Sequence, residues 1–558
     1  MIALFAVTDA GRRAAAEVAP ALEADVHPLD ALPALWPRLD GAVFFLATGA
    51  TVRLVAPLLA DKRSDPGVVC VDEARRFAVA LTGGHEGGAN ALAERVGGLL
   101  GAQPVVTTAS DAAGSTGMDE LAAALDAVVD GDAAAAGRAL LDGTAVVENP
   151  AGVPLPPLPV PTEVGSGHRI VVTDRPGPAG EDLTLVVPRT LVVGIGSARG
   201  VPAEAVAAAL RRIETDHGYD LRAVRAYASV DLKADEAGIL AAIAPAELRT
   251  YPAEVLARVE VPNPSEVVRA EVGTASVAEA AALHAADELA GGGPVELVVE
   301  KVKGENVTVA AARIRPRGRL AIVGLGPGAA DLRTPRAEAE LRRASVVVGL
   351  DQYVEQVRHL LRPGTEVHAS GLGDEEQRAA DAVALAGKGR AVALIGSGDA
   401  GVYAMASPAL QQAGADIEVV GVPGVTAALA AAALLGAPLG HDHVLISLSD
   451  LHTPWPVIER RVAAAAAADL VTCFYNPRSR GRHWQLGAAL DAFREHRPPS
   501  TPVGAVRQAS RTGQRVWTAP LSEFDPVEVD MLTTVVVGSS ATRMVGGRMV
   551  TPRGYRWS

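Results

Sequence analysis

The run Leu394–Ala406, LIGSGDAGVYAMA, decides how the second half of this chain folds. An apolar strand ending at Ile395 breaks into Gly396, Ser397, Gly398 and Asp399. After Gly401 the pattern reads as a helix opening on Val402, Tyr403 and Met405. A strand ending in small residues lets a ligand approach the backbone, and the following helix start offers unpaired N–H groups. The same pattern also serves as a tight connection in an α/β sheet.

Two neighbours repeat the pattern. LAIVGLGPG (Leu320–Gly328) runs a strand into glycines, and VVGVPGVTA (Val419–Ala427) runs a strand and turn into a helix start at Thr426. Downstream come Phe474-Tyr475-Asn476-Pro477, then Gly504-Ala505-Val506, then LTTVVVG from Leu532 to Gly538. In this order the motifs resemble the tetrapyrrole (corrin and porphyrin) methyltransferases. The intervening LGAPLGHDHVLISLSDLHTPWPVIERR, Leu435–Arg461, is similar to the precorrin-3B or cobalt-factor III C(17) branch of that family.

The resemblance implies a two-lobed fold over residues 319–558, S-adenosylmethionine as methyl donor, and ring contraction accompanying the transfer. It places the donor against Gly326 and Pro327, against Gly398, Asp399, Val402 and Tyr403, and against Thr426 and Ala427. From the second lobe it adds Tyr475, Asn476, Val506, Thr533 and Thr534. This chain departs from the family in carrying Ala400, where proline usually follows the Gly-Asp pair.

Carboxylate arms on such a substrate call for arginines, which bind carboxylates bidentately. Arg478, Arg482 and Arg507 are the candidates, with Arg480, His483 and Arg511 beside them; a solvated basic patch is the competing reading. Ser449 and Asp450, in a polar run with Ser447 and His452, are candidates to assist ring contraction. His441-Asp442-His443 lacks an evident third ligand, so no protein-bound metal is expected; cobalt, if present, belongs to the substrate.

The first half carries a second set of motifs. TGATVRLVAPLL (Thr48–Leu59), DKRSDPGVVCVDE (Asp61–Glu73), LTGGHEGGAN (Leu81–Asn90) and VVTTASD (Val105–Asp111) resemble the N-terminal domain of cobalt-precorrin-5A hydrolase. LVVGIGSARGVPAEAVAAAL (Leu191–Leu210), YASVDLKADEAGIL (Tyr227–Leu240) and LVVEKVKGENVTVAAARI (Leu297–Ile314) resemble its C-terminal domain. That family opens a lactone on the ring-contracted macrocycle and releases acetaldehyde.

Two readings stand for His85. An imidazole between glycine pairs is open to a bulky ligand and titrates near neutral pH, as a general acid or base should. It also fits a turn that caps the next helix. Lys62 and Arg53 are candidates for substrate carboxylates, and Asp111 for chemistry or a helix cap. Lys233 and Asp231 are candidate contacts in the later domain, or an ion pair at a helix start.

The 558 residues call for several domains. The expected division is 1–140, a 141–190 middle or linker segment rich in proline near Ala151–Gly167, 191–315, and 319–558. The fold class is α/β and multidomain, with small α/β domains in the N-terminal half. Arg313–Arg319 reads as a basic hinge.

With 49% apolar and only 3% aromatic residues, the chain is globular and filled with alanine, valine and leucine. A net charge of −14 argues against a nucleic-acid partner. The two cysteines, Cys70 and Cys473, lie in apolar strands and suit a reducing compartment. No leader or membrane span is read, so a cytoplasmic enzyme is expected, homodimeric as the methyltransferase family typically is.

Two rivals remain open. A nicotinamide-dependent oxidoreductase needs G-x-G-x-x-G, whereas GLGPGA brings its third glycine one position early; Asp351 stands where a ribose-binding acid is expected. A phosphate-binding loop is excluded, because Gly387-Lys388-Gly389 lacks the following Ser or Thr. The other rival is a tetrapyrrole carrier without catalysis.

Overall fold

The computed structural model describes residues 1–61, 64–84, 87–108, 113–160, 167–479 and 481–555. Lys62, His85, Asp111 and Arg480, singled out above, lie outside the described residues. The chain forms two compact units, Met1–Pro316 with Arg362–Gly364, and Arg317–Leu361 with Thr365–Ser558.

Among the described residues, the first unit holds three sheets. The first has strands β1 (Ile2–Ala6), β2 (Asp25–His27), β3 (Gly41–Phe45), β4 (Gly67–Val71), β5 (Phe77–Thr82) and β6 (Gln103–Val105), in the order β2-β1-β3-β4-β5-β6. β3 and β4 are buried throughout, as expected of strands covered on both faces.

The second sheet, β7 (Ala127–Asp130), β8 (Val146–Glu148), β9 (Arg169–Val172) and β10 (Leu183–Pro188), runs β7-β10-β9-β8. Its core takes Ala151, Val153 and Leu158 from the proline-rich stretch. The described part of that stretch, up to residue 160, is therefore packed rather than a loose linker, because its apolar residues between prolines have a sheet to cover.

The third sheet, β11 (Leu191–Ser197), β12 (Val224–Val230), β13 (Leu248–Tyr251), β14 (Val295–Lys303) and β15 (Val307–Ile314), runs β13-β12-β11-β15-β14. The alanine-rich helix Val277–Ala290 packs on β11 so closely that a Cβ on Gly194 would lie 1.9 Å from the Ala278 carbonyl oxygen. Lys233 pairs with Glu236 at 3.3 Å, the structural ion pair rather than an open contact.

The basic run Arg313–Arg319 is not a solvated hinge. Arg313 Nε bonds the buried Asp174 at 2.5 Å, Arg315 meets Glu296 at 2.5 Å, and Arg319 is clasped by Glu340 at 2.7 Å and by Glu418. These three charges each find a partner inside their own unit, where the run continues directly from β15 into the next strand.

The second unit begins with that strand. β16 (Gly318–Gly324), β17 (Val346–Leu350), β18 (Glu366–Ser370), β19 (Ala391–Gly396) and β20 (Ile417–Val422) form a wholly parallel sheet, β18-β17-β19-β16-β20. Leu320, Ile322, Val392 and Leu394 fill one face, and Ala321, Val323, Ala393 and Ile395 the other, the period-two alternation of a two-sided sheet. β19 lies between β16 and β17, whereas a dinucleotide-binding sheet places its first two strands side by side. The oxidoreductase reading loses its topology here.

The other lobe has β22 (His443–Ser447), β23 (Val471–Tyr475), β24 (Pro502–Arg507), β25 (Arg515–Pro520) and β26 (Thr533–Val537), ordered β22-β23-β26-β24-β25. A small sheet joins β21 (Gly436–Ala437), β27 (Arg543–Val545) and β28 (Arg548–Val550). No described helix is long and apolar enough to cross a membrane.

Candidate active site

Three glycine turns meet backbone to backbone at the carboxyl ends of β16, β19 and β20. Gly326 and Gly398 exchange N–H···O bonds of 3.0 and 2.7 Å. A Cβ on Gly424 would lie 2.1 Å from the Gly398 carbonyl oxygen, and one on Gly324 would lie 2.8 Å from the Gly424 nitrogen. Gly398 also holds φ +67°, a conformation that disfavours any side chain. Asp399 accepts the N–H of Gly401 at 2.8 Å and of Gly424 at 3.0 Å, which clamps the loop after β19 to the loop after β20.

The helix expected at Val402 starts at Ala406 instead. Residues 401–405 stay in a turn, and Tyr403 takes φ +52°, because its phenol reaches across to donate to the Leu445 carbonyl at 2.8 Å. On the opposite lobe Tyr475 Oη lies 2.6 Å from Thr426 Oγ1 and accepts the Ala428 N–H at 2.9 Å. Thr426 holds the N-cap position of the helix Ala427–Leu435 without a side-chain cap bond of its own, and the Ala428 N–H is satisfied by Tyr475 instead. Burial raises both tyrosine hydroxyls above their ordinary pKa, against the lowering effect of their hydrogen bonds. The two rings are 5.2 Å apart.

These groups enclose a cavity of about 260 Å³ whose wall includes Gly398, Val402, Tyr403, Thr426, Ala427, Tyr475 and Asn476. It adjoins a cleft of about 1210 Å³ that shares Tyr403, Met405 and Asn476, and is further lined by Ser447, Ser449, His452 and Arg461. A small glycine-walled cavity beside a larger cleft suits two ligands, one compact and one broad.

Other expected residues stand behind the wall. Gly326 shapes Gly398, Arg511 Nε donates to the Pro327 carbonyl at 2.5 Å, and Val506 is buried in the core. Thr533 donates to Asp530 at 2.7 Å, and Thr534 pairs with Val506 across the sheet.

The arginines expected at substrate carboxylates are engaged with protein groups, and none lines the cleft. Arg478 donates to the Pro526 and Val527 carbonyls at 3.0 Å each, and Arg507 pairs with Asp530 at 2.7 Å. Arg482 is buried, bonding Ser449 Oγ and the Asn476 carbonyl at 2.9 Å each, with Asp450 at 3.9 Å. Burial lowers its pKa against the opposing pull of Asp450. Asp450 also accepts from Gln485 at 3.0 Å, so it braces this loop, while Ser449 reaches the cleft. Arg461 and Arg378, which do line the two spaces, carried no sequence signal: both sit in helices that read as ordinary amphipathic ones.

In the first unit the anchors of the three candidate loops gather at one end of the first sheet. Gly67 opens β4 there, where Val68 pairs with Thr82 at the end of β5, and Val79 pairs with Val105 at the end of β6. A Cβ on Gly87 would come within 2.8 Å of the Gly67 nitrogen, and one on Gly84 within 3.0 Å of Thr108 Cγ2. Arg53 sits on the helix Thr48–Val55, exposed, and donates to the Gly49 carbonyl at 3.1 Å. Cys70 is buried against Thr48 Oγ1 at 3.2 Å, and burial pushes the Cys473 thiol up to about 12, so neither is a ready nucleophile.

Residues 319–525 match the family model described as Tetrapyrrole (Corrin/Porphyrin) Methylases. Over 242 residues the chain is 46% identical to the "Probable cobalt-factor III C(17)-methyltransferase" of Salmonella typhimurium, covering 42% of this chain and 99% of that one. The chain belongs to the tetrapyrrole methylases.

Its methylase part is also 42% identical over 234 residues to the "Precorrin-3B C(17)-methyltransferase" of Sinorhizobium sp, covering 41% of this chain and 91% of the relative. A crystal structure of the methyltransferase CobJ is 39% identical, with a TM-score of 0.40, covering 42% of this chain and all of that one. Ahead of the methylase, residues 30–111 match "Cobalamin synthesis G N-terminal" and residues 191–312 "Cobalamin synthesis G C-terminus". The protein is therefore a fusion of cobalamin-synthesis G domains with a tetrapyrrole methylase.

Proposed function

We propose that the methylase unit transfers a methyl group from S-adenosylmethionine to C(17) of precorrin-3B or cobalt-factor III, with ring contraction. We further propose that the first unit opens the lactone of cobalt-precorrin-5A and releases acetaldehyde. The observation carrying the first reading is the glycine-walled cavity lined by Tyr403 and Tyr475, which adjoins the larger cleft through Tyr403, Met405 and Asn476. The names of the relatives agree with it.

The residues fit a sulfonium nucleoside donor. Gly324, Gly398 and Gly424 bring bare backbone together where side chains would fill the space, and Thr426 and Tyr475 close the far wall. The donor supplies its own leaving group, so the protein needs little acid–base machinery. Holding donor and ring in line contributes up to ~7–11 kcal/mol toward the barrier. Arg461 and His452 on the cleft are placed to meet carboxylate arms. A homodimer in the cytoplasm, as the family resemblance implies, completes the proposal.

The lactone-opening half rests on the described ends of β4, β5 and β6 next to the motifs that carry Lys62, His85 and Asp111 in sequence, which lie at one end of the first sheet. The test for both halves is mass analysis of products after the full chain is incubated with S-adenosylmethionine and each candidate ring. Unchanged precorrin-3B and cobalt-factor III would overturn the methylation, and unchanged cobalt-precorrin-5A the lactone opening.

A further inference from the structure

Arg378 lies in the first turns of the helix Glu375–Gly387 and is only 5% exposed. Its Nε donates to Ser370 Oγ at 2.9 Å and its Nη2 to the Gly371 carbonyl at 2.6 Å. The third contact is Met405 Sδ, 3.9 Å from Nη1, a weak acceptor. Among the described residues no carboxylate comes within ion-pair distance of it. Glu375, three residues earlier on the same helix, lines the same cavity, but it accepts the N–H of Gly373 at 3.3 Å and makes no ion pair with Arg378.

A buried guanidinium facing only neutral acceptors is strongly unfavourable unless something supplies the missing charge. The other buried arginines of this unit show the contrast: Arg333 has Glu338, Arg497 has Asp469 at 3.1 Å and Arg482 has Asp450 at 3.9 Å, and the half-buried Arg319 has Glu340 and Glu418. Arg378 alone among these has no acid, and it alone lines the cavity that also holds Gly398, Thr426 and Tyr475. Its remaining N–H donors have a bidentate geometry suited to a carboxylate.

We propose that Arg378 receives a carboxylate of a bound ligand in this cavity. The inference rests on the methylase reading above. The shared chemistry has two sources, the amino-acid carboxylate of the methyl donor and an acetate or propionate arm of the macrocycle. The guanidinium does not take part in methyl transfer; it binds and orients.

The test uses the full chain, with Arg378→Gln and Arg378→Lys. S-Adenosylhomocysteine and 5′-methylthioadenosine, which lacks the amino acid, are titrated by calorimetry, and uroporphyrin by fluorescence quenching. If the donor carboxylate is the partner, Arg378→Gln weakens S-adenosylhomocysteine by ~10–100-fold, the weight of a charge-assisted hydrogen bond, and leaves 5′-methylthioadenosine unchanged. If a macrocycle arm is the partner, uroporphyrin weakens instead and both nucleosides bind as before. Arg378→Lys falls between wild type and Arg378→Gln in either case. The ligand-free melting temperature of Arg378→Gln stays the same or rises, since an uncompensated charge has gone.

Two results would overturn the proposal: every titration unchanged in Arg378→Gln, or a lower melting temperature with all three ligands weakened together, the mark of a mere brace. A wild-type chain that binds neither S-adenosylhomocysteine nor uroporphyrin would sink the methylase reading itself, and this inference with it.

Discussion

Asp399 Oδ2 accepts the backbone N–H of Gly424 at 3.0 Å, tying together two loops that are 25 residues apart in the chain. The carboxylate thus acts on the glycine-walled cavity through the backbone, by holding Gly398 and Gly424 in contact. Ala400, in the place where the family has proline, is buried, and the clamp from Asp399 constrains a turn that lacks that ring.

Asp399→Ala is therefore expected to weaken S-adenosylmethionine by ~10–100-fold, since charge-assisted bonds to the Gly401 and half-buried Gly424 N–H groups are lost and the two loops come apart. Asp351, exposed at the start of the helix Asp351–Val357, should tolerate alanine with little change in affinity. Calorimetry on the two variants decides; the reverse order would favour a ribose-binding role for Asp351 and a nicotinamide ligand.

Gly424→Ala should abolish donor binding, because its Cβ would stand 2.1 Å from the Gly398 carbonyl oxygen. Gly421, three residues earlier in β20, has open space at that position, and alanine there should be nearly neutral. Equal affinity in both variants would show that the glycine contact is not what shapes the cavity.

The parallel lobe was legible because a two-sided sheet writes itself as unbroken apolar runs, and LAIVG, AVALIG and VVGV each stop at a glycine where the backbones converge. The charges were less legible. Arg478, Arg482 and Arg507 look alike in sequence to any substrate-facing arginine, but they are held by acceptors tens of residues away at Pro526, Ser449 and Asp530. Arg378 was hidden for the opposite reason. DEEQRAADAVALA has the charge pattern of an ordinary surface helix, and only the packing of Met405 against it reveals that its arginine points inward. The turn at Tyr403 was missed because a hydrogen bond to the other lobe overrides the local helix signal.

Acid should loosen the second lobe at Asp530. Burial pushes its carboxyl up, yet bonds from Thr533, Arg507 and the Leu532 N–H outweigh burial and hold it below its ordinary pKa. A carboxyl with a lowered folded pKa contributes stability above its unfolded value, about 3.9, and loses that contribution as pH falls through the folded value. Asp530→Asn should therefore melt lower than wild type at pH 7, with the difference closing in acid. A difference that stays constant down to pH 2 would mean that the charge on Asp530 carries none of the effect.

His85 carries the boldest expectation. Opening a lactone near neutral pH needs water activated or the departing oxygen protonated, and a histidine supplies both roles without a metal. The glycines on either side of its loop are committed to packing: Gly67 and Gly87 leave no room for each other's Cβ, and Gly84 abuts Thr108. Those contacts explain the glycines of this motif, but they give no reason for a histidine in its sequence. His85→Ala should slow acetaldehyde release by ~10²–10⁴-fold, the usual weight of a general acid or base. His85→Gln should be nearly as slow, since an amide keeps a hydrogen bond and cannot exchange a proton. Methylation at C(17) should be unaffected by either change, because it belongs to the other unit. Release is followed by coupling to alcohol dehydrogenase with cobalt-precorrin-5A as substrate. An unmodified rate in His85→Ala would make the histidine a turn residue and move the chemistry to Lys62, Asp65 or Asp111.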